Sequence, residues 1–208
     1  MFRPCDRLHI WTRSSIRGDI KIPCDDHDDI CVRCIFLKAC EYGSRFILHK
    51  TIKEGIENIN CALSTCNCVF EWKAFTPVWN YGLFRACRGG QCEIVSWMME
   101  KGADRWNTAL MNACEGGHLD IAMLMLRKGA DANYGLWGAC QEGHLHIANI
   151  MIEHGATNWN GGLWCACDKG HLDIAKVMIT CGATDTGWAV NSARRRGHLE
   201  IVDFLNSR

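Results

Sequence analysis

The segment EGGHLDIAMLMLRKGAD, residues 115–131, decides how this chain folds, because the chain repeats it twice in near copy. EGHLHIANIMIEHGAT follows at 142–157, and KGHLDIAKVMITCGAT follows at 169–184. Three markers keep one register, since an Ala–Cys pair, a Gly–His pair and a Gly–Ala pair each return every 26 or 27 residues. A fixed period of about 20–50 residues indicates a solenoid, in which each unit packs against its neighbours.

Each unit predicts two short helices. In the first, residues 135–143, the residues Leu136, Ala139 and Cys140 lie at i, i+3 and i+4 and form one apolar stripe. The second, residues 145–155, has a wider apolar face. A glycine closes each helix, as a left-handed C-cap prefers. Neither helix can bury its stripe alone, so the stacked units must share one continuous core.

The stacking accounts for most residues that would otherwise suggest chemistry. Small side chains are needed where helices of adjacent units meet, and cysteine behaves as a small buried apolar residue. Four cysteines of the repeated pair are therefore predicted to be packing residues: Cys87, Cys114, Cys140 and Cys167. The histidines of the Gly–His pairs recur one unit apart, roughly 10 Å in a helical stack, which is too far for a shared metal ion. We predict that they are structural turn residues.

The unit resembles the ankyrin repeat. Residues 139–156 read A-C-x-x-G-H-L-x-I-A-x-x-M-I-x-x-G-A, beside the ankyrin pattern A-A-x-x-G-H-x-x-V-V-x-x-L-L-x-x-G-A. The period is shorter than the ankyrin period of about 33, and the T-P-L-H opening is missing. The missing residues fall where ankyrin units extend a β-hairpin finger. The resemblance therefore implies an all-α, ankyrin-like helical solenoid of helix-turn-helix repeats with short or absent fingers. The compact style is similar to ankyrin arrays of giant DNA viruses.

The repeats divide the chain unevenly. Residues 78–208 contain five compact repeats, and residues 30–77 contain two degenerate ones. Residues 1–29 have no assigned fold. In the last repeat, 186–208, Arg194 replaces the small cysteine. A large cation at that position suits an end that faces water, so we interpret this repeat as a C-terminal cap.

Composition limits the class of partner and the compartment. The 23 basic and 23 acidic residues balance, whereas nucleic-acid and membrane surfaces need a basic excess. Fifteen cysteines without an apolar secretory signal indicate a reducing compartment. We therefore expect an intracellular protein of the host cytoplasm or the virion. The Arg-rich start weakly resembles a mitochondrial presequence, which is the alternative.

One cluster leaves a second hypothesis open. Cys24, His27, Cys31 and Cys34 have the residue types and proximity of a zinc site. Alternatively, Cys31 and Cys34 share one helix face and simply pack. A zinc-stabilised head on an ankyrin array would act as an adaptor, for example to ubiquitin ligase machinery. No nucleotide-binding or hydrolase motif occurs, so we expect neither an enzyme nor a cofactor.

The resemblance to ankyrin arrays implies a monomer that binds a host or viral protein on its concave face. The expected contacts vary between units and lie just before the repeated alanine or one or two residues after the cysteine. They are Arg85, Arg88, Asn112, Glu115, Gln141, Glu142, Asp168, Lys169, Arg195 and Arg196. Trp106 and Trp159 in the connections join them as aromatic anchors, with packing between units as the alternative. Trp137 and Trp164 are expected to pack neighbouring units together.

Overall fold

The computed structural model describes residues 39–43, 48 and 78–207. From residue 78 onward the described chain forms five helix pairs and no strand. The helices are α1 (Val78–Arg88), α2 (Cys92–Glu100), α3 (Trp106–Glu115), α4 (Leu119–Arg127), α5 (Ala132–Glu142), α6 (Leu145–Glu153), α7 (Trp159–Lys169), α8 (Leu172–Cys181), α9 (Thr186–Arg196) and α10 (Leu199–Asn206). The all-α, ankyrin-like solenoid is confirmed, and the connections between these pairs carry no β-hairpin finger. The division of the chain at residues 29, 77 and 186 stays a prediction.

The chain divides into two compact units. The first contains Met1–Ala86 and Glu93–Ala103, and the second contains Cys87–Cys92 and Asp104–Arg208. In the first unit residues 39–42 are helical, with Ala39 and Cys40 buried and φ at 78° for the glycine that follows. This Ala–Cys pair is buried in the same way as its later copies. The remaining residues of the two degenerate repeats, apart from Leu48, lie outside the described residues.

In the second unit the helices form two layers. The first helices α3, α5, α7 and α9 pack side by side, and each packs against the second helix of its own repeat. The first helices contribute their repeated leucine, alanine and cysteine to the core, as with Leu136, Ala139 and Cys140. The second helices contribute an isoleucine and a methionine, as with Ile147 and Met151. The same set of side chains, repeated in every unit, therefore fills the space between the layer of first helices and the layer of second helices.

The helix ends follow local capping chemistry. The Asp131 carboxylate accepts a hydrogen bond from the Asn133 amide at 2.9 Å, so α5 begins at Ala132. This start is three residues earlier than the sequence pattern predicted, because the prediction ignored aspartate as an N-cap. Gly143 closes α5 with φ of 85°, as expected. The apolar face of α6 is narrower than predicted, since Ile150 and Ile152 are partly exposed.

Glycines allow the two helix layers to approach closely, because a glycine has no side chain. A methyl group on Gly162 would lie 2.6 Å from the sulfur of Met178 in the paired helix and 3.2 Å from that of Cys140 in the preceding repeat. Gly135 holds the equivalent place against Met151. The predicted packing role of the repeated cysteines is confirmed, because all four are fully buried. Burial raises the pKa of the Cys114 thiol to about 12, so these thiols stay protonated.

An imidazole joins each repeat from α3–α4 onward to the one before it. The side chain of His144 donates from Nε2 to the carbonyl oxygen of Glu115 at 3.1 Å, because a carbonyl can only accept. The same bond recurs from His118 to the Arg88 carbonyl at 3.0 Å and from His171 to the Gln141 carbonyl at 3.2 Å. His198 repeats it to the Asp168 carbonyl at 3.2 Å. These histidines, predicted as turn residues, thus also form hydrogen bonds between repeats.

The glycine of each Gly–His pair except the last, Gly197, meets two demands at once. Gly143 has φ of 85°, a conformation that disfavours side chains, and the ring of His171 lies directly over it. A methyl group there would be 2.6 Å from Cε1 of His171. By contrast, Gly155 has φ of 92° but nothing within 4 Å of an added methyl group. In such a Gly–His pair the glycine therefore caps its own helix, and the histidine forms the hydrogen bond to the preceding repeat.

A second bond takes the place of the missing fingers. The side-chain oxygen of Asn133 accepts from the backbone amides of Thr157 and Asn158 at 2.9 and 2.8 Å. Asn160 does the same for Thr184 and Asp185 at 2.8 and 3.0 Å. An asparagine at the start of one first helix therefore fixes the connection that enters the next. The asparagines were visible in the sequence, but no role was predicted for them.

Replacing Gly143 by Ala is expected to destabilise the fold by about 3 kcal/mol, since left-handed strain of about 1–2 kcal/mol adds to the displaced His171 bond. Gly155→Ala is the matched control and should lose only the strain. Urea unfolding followed by circular dichroism measures both. Adding His171→Ala to Gly143→Ala should cost less than His171→Ala alone, because the clash and the bond involve the same ring. Equal losses in the two glycine variants would contradict this account.

Replacing Asn133 by Ala removes an acceptor from two backbone amides. We expect a loss of about 1–2 kcal/mol, because Thr157 and Asn158 are exposed and water replaces part of the bond energy. Hydrogen exchange of these two amides should accelerate in the variant. Asn149→Ala, on the exposed side of α6, is the control and should change stability by less than about 0.5 kcal/mol. Unchanged protection of both amides would exclude the proposed role.

Candidate functional site

Three positions of each first helix, spaced i, i+3 and i+7, lie along one side of that helix. In α5 they are Tyr134, Trp137 and Gln141, and in α9 they are Trp188, Asn191 and Arg195. In α7 they are Gly161, Trp164 and Asp168. We call the surface formed by these nine residues the first-helix face. Sequence reasoning selected only the third position of each set and missed the first two.

Aromatic side chains dominate this face. The exposed fractions are 45% for Tyr134, 39% for Trp137, 39% for Trp164 and 72% for Trp188. The ring centroids of Trp137 and Trp164 are 6.1 Å apart at 49°, so the predicted packing between these neighbouring repeats is confirmed. Both rings nevertheless stay accessible. Exposed aromatic residues grouped on one face are typical of macromolecular interfaces, where tryptophan and tyrosine carry much of the binding energy.

The tryptophans of the connections are less accessible. Trp106 and Trp159 are the first residues of α3 and α7, and both are half-buried. The indole of Trp159 donates to the Ala156 carbonyl at 3.1 Å, and its ring would be 3.3 Å from a methyl group on Gly182 of the same repeat. This geometry favours packing over an exposed aromatic row. Their assignment as partner contacts stays a prediction.

Arg88 lies between two carboxylates of later repeats. Its guanidinium is 2.8 Å from Glu115 and 3.7 Å from Glu142. Burial raises the pKa of the Glu115 carboxyl, while the Arg88 charge acts in the opposite direction. In the first unit Arg85 is 3.4 Å from Glu41, and such exposed pairs contribute little stability. Some of the charged residues that the sequence predicted as contacts for a protein partner thus form ion pairs with one another.

Asp168 is the centre of a second charged cluster. It is only 8% exposed, and its carboxylate accepts from the Ser192 hydroxyl at 2.7 Å and from Arg196 Nε at 3.0 Å. Arg195 lies 3.8 Å away. Hydrogen bonds from Arg196 and then Ser192 hold the pKa of the carboxyl below its usual range. Asp168 therefore joins α7 to α9, and the exposed Lys169 and Arg195 are more available to a partner.

The position before the repeated alanine differs along the array. Gly138, Cys165 and Ser192 occupy it in the later repeats and are all buried. A methyl group on Gly138 would press on the backbone carbonyl of Met111, so this position is where neighbouring first helices meet. Asn112 is half-buried and donates to the Thr108 carbonyl at 2.9 Å. Of the predicted contacts beyond Asn112, Gln141 is partly exposed, and Glu142, Lys169, Arg195 and Arg196 are exposed.

The predicted zinc cluster of Cys24, His27, Cys31 and Cys34 lies outside the described residues. Within 39–43, 48 and 78–207, no three His, Cys, Asp or Glu side chains are grouped so that they could hold a metal ion. No helix in these same ranges is both long enough and apolar enough to cross a membrane. The proposed cluster therefore stays untested.

The helix pairs, the short connections and the Gly–His junctions define an array of ankyrin-type repeats. Residues 83–161 match the family model described as Ankyrin repeats (3 copies). A comparison with curated proteins finds no match to this chain. Ankyrin repeats are protein–protein interaction modules and are generally not catalytic. The chain therefore carries three ankyrin repeats within residues 83–161, in an all-helical, ankyrin-like fold.

Replacing Asp168 by Asn should destabilise the protein by about 1 kcal/mol at pH 7, because the charge-assisted bonds to Arg196 and Ser192 weaken. The folded-state pKa of Asp168 lies below its ordinary value of 3.8, so the stabilisation is complete above that pH. It is lost as the pH falls through the lower folded pKa, where both proteins should become equally stable. Urea unfolding at pH 7 and at a series of pH values below 3.8 measures this difference, which should shrink as the pH falls.

The control for that experiment is Asp173→Asn. Asp173 pairs with Lys176 at 3.2 Å within one helix, and its side chain is 75% exposed. Such a pair contributes at most about 0.5 kcal/mol. If the two variants lost equal stability at pH 7, or if the Asp168→Asn difference did not shrink as the pH fell below 3.8, the charged cluster would not have the role assigned to it.

Proposed function

We propose that this protein is a non-catalytic binding module that recognises a protein partner through the first-helix face. The observation that carries the proposal is the row of exposed aromatic residues formed by Tyr134, Trp137, Trp164 and Trp188. Exposing these rings to water is unfavourable in the free chain, so covering them on binding removes apolar area from water and favours the complex. In ankyrin arrays the equivalent side of the first helices is the concave binding face.

The polar residues beside the aromatic row support a protein partner rather than a nucleic acid. Gln141 and Glu142 follow the tryptophan of α5, Lys169 follows that of α7, and Arg195 and Arg196 end α9. The sign of the charge thus changes from repeat to repeat, whereas a phosphate backbone requires a continuous basic surface. A protein surface with its own pattern of charge would match this arrangement.

The form of the repeats bears on the origin of the protein. The compact repeats, with a tryptophan or tyrosine near the start of each first helix, are similar to ankyrin arrays of giant DNA viruses. On that similarity we propose a viral protein that acts in the host cell as a monomer on a host or viral protein. The charged residues selected from the sequence, above all Arg88, Glu142, Lys169 and Arg195, would form the polar rim of its interface.

The test is quantitative affinity capture with three forms of the chain. A face variant carries Trp137→Ser and Trp164→Ser, and a control variant carries Asn149→Ser and Glu153→Ser on the exposed side of α6. Loss of a central tryptophan contact costs about 2 kcal/mol, which is about 30-fold in Kd. A protein retained by the wild type and the control should therefore be lost from the face variant.

Circular dichroism and the unfolding midpoint must show that both variants fold. The captured protein is then produced separately, and its Kd for each form is measured by calorimetry. A partner that both variants lose equally, or that the face variant binds as tightly as the wild type, would contradict the first-helix face as the binding surface. Turnover of the captured protein, or its covalent modification by the purified chain, would contradict the non-catalytic assignment.

A further inference from the structure

A depression of about 270 Å³ opens on the first-helix face between α7 and α9. Asn160, Gly161, Trp164, Asp185 and Trp188 line it. Gly161 creates the space, because the equivalent positions in the neighbouring repeats hold Tyr134 and Trp188. Two indole rings therefore border a gap that is much larger than the roughly 30 Å³ of one water molecule.

The walls of this depression are fixed by the repeat junction. The Asn158 side chain accepts from the Gly161 amide at 3.1 Å and lies 2.8 Å from a methyl group added at Gly161. Asn160 accepts from the Asp185 amide at 3.0 Å. The backbone that carries the Asp185 carboxylate is thereby held beside α7. The depression is a feature of two packed repeats rather than of a loop.

Its chemistry favours a positive charge. Indole faces attract cations through the ring quadrupole, and the attraction increases when a carboxylate lies nearby. Asp185 supplies that carboxylate, because it is exposed and its side chain does not cap α9. No basic residue lines the depression. The basic residues that end α9 begin at Arg194, six residues and about 9 Å of helix beyond Trp188.

We propose that this depression binds a lysine or arginine side chain of the protein partner. This inference rests on the proposed function, since it names the chemical group that the first-helix face recognises. A neutral apolar side chain would leave the Asp185 carboxylate without a partner, and an acidic side chain would be repelled by it. The preceding junction, between α5 and α7, has no equivalent site, because Tyr134 stands at the position of Gly161 and Asn158 at that of Asp185.

The inference is tested without the partner, by titrating the ¹⁵N-labelled full chain with blocked amino acids at constant ionic strength. The probes are N-acetyl-lysine methylamide, the arginine analogue, and the norleucine analogue as a neutral equivalent of lysine. The indole N–H signals of Trp164 and Trp188, assigned with single Trp→Phe variants, report binding. We expect the two cationic probes to shift these signals and to bind at least about 10-fold more tightly than the norleucine probe.

Matched variants locate the site. Trp188→Ala should weaken the cationic probes at least about 10-fold and Asp185→Asn about 5-fold, whereas Asp131→Asn, at the equivalent position before α5, should leave binding unchanged. The indole signal of Trp137 should not move. Equal binding of norleucine, loss in the Asp131→Asn control, or absence of any shift at Trp164 and Trp188 would overturn the inference.

The outcome separates this inference from the proposed function. If the cationic probes fail but a partner is still lost from the Trp137 and Trp164 face variant, the charge preference of the depression is wrong and the first-helix face remains the interface. If the probes bind but a purified partner binds Trp188→Ala as tightly as the wild type, the partner does not place its basic side chain there, and the inference falls.

Discussion

The solenoid depends on one contact, the imidazole that reaches back to the carbonyl of the preceding repeat. The ring can make that bond only where the glycine beneath it has no side chain, as with His171 above Gly143. Because the glycine also closes its own helix with a positive φ, helix end and repeat junction are set by the same two residues. The contact therefore fixes how each repeat packs on the one before it.

Short connections follow from a second constraint. A longer ankyrin unit uses a hairpin finger between repeats, and the backbone amides of the connection must be bonded in some other way when the finger is absent. Asn133 and Asn160 provide that acceptor from within the preceding first helix. The compact repeat is thus not an ankyrin unit with a part removed, because one side chain replaces the function of the missing segment.

Much of the fold could be predicted because its determinants are local and periodic. The spacing of Leu136, Ala139 and Cys140 gave the buried stripe of the first helix, and Gly143 gave its end. The face was harder to predict, because Trp137 and Trp164 pack on each other and remain exposed at once. Sequence periodicity assigns a residue either to the core or to the surface. It does not predict a side chain that packs on a neighbour and also stays exposed. Asp168 shows the opposite case, since its polar side chain is covered by residues one repeat later. Its role as a partner contact stays a prediction.

The buried thiols can report where the array opens, because each becomes accessible to reagents only when its own repeat unfolds. Cys114, Cys140, Cys165 and Cys167 are covered in the folded repeats, and burial raises their pKa, so neither oxidants nor alkylating reagents meet a thiolate there. Cys92 is exposed and Cys181 is partly so. Each repeat from α3 to α8 thus carries its own protected sulfur. The order in which these sulfurs become reactive under stress would show where the stack separates first, one repeat at a time.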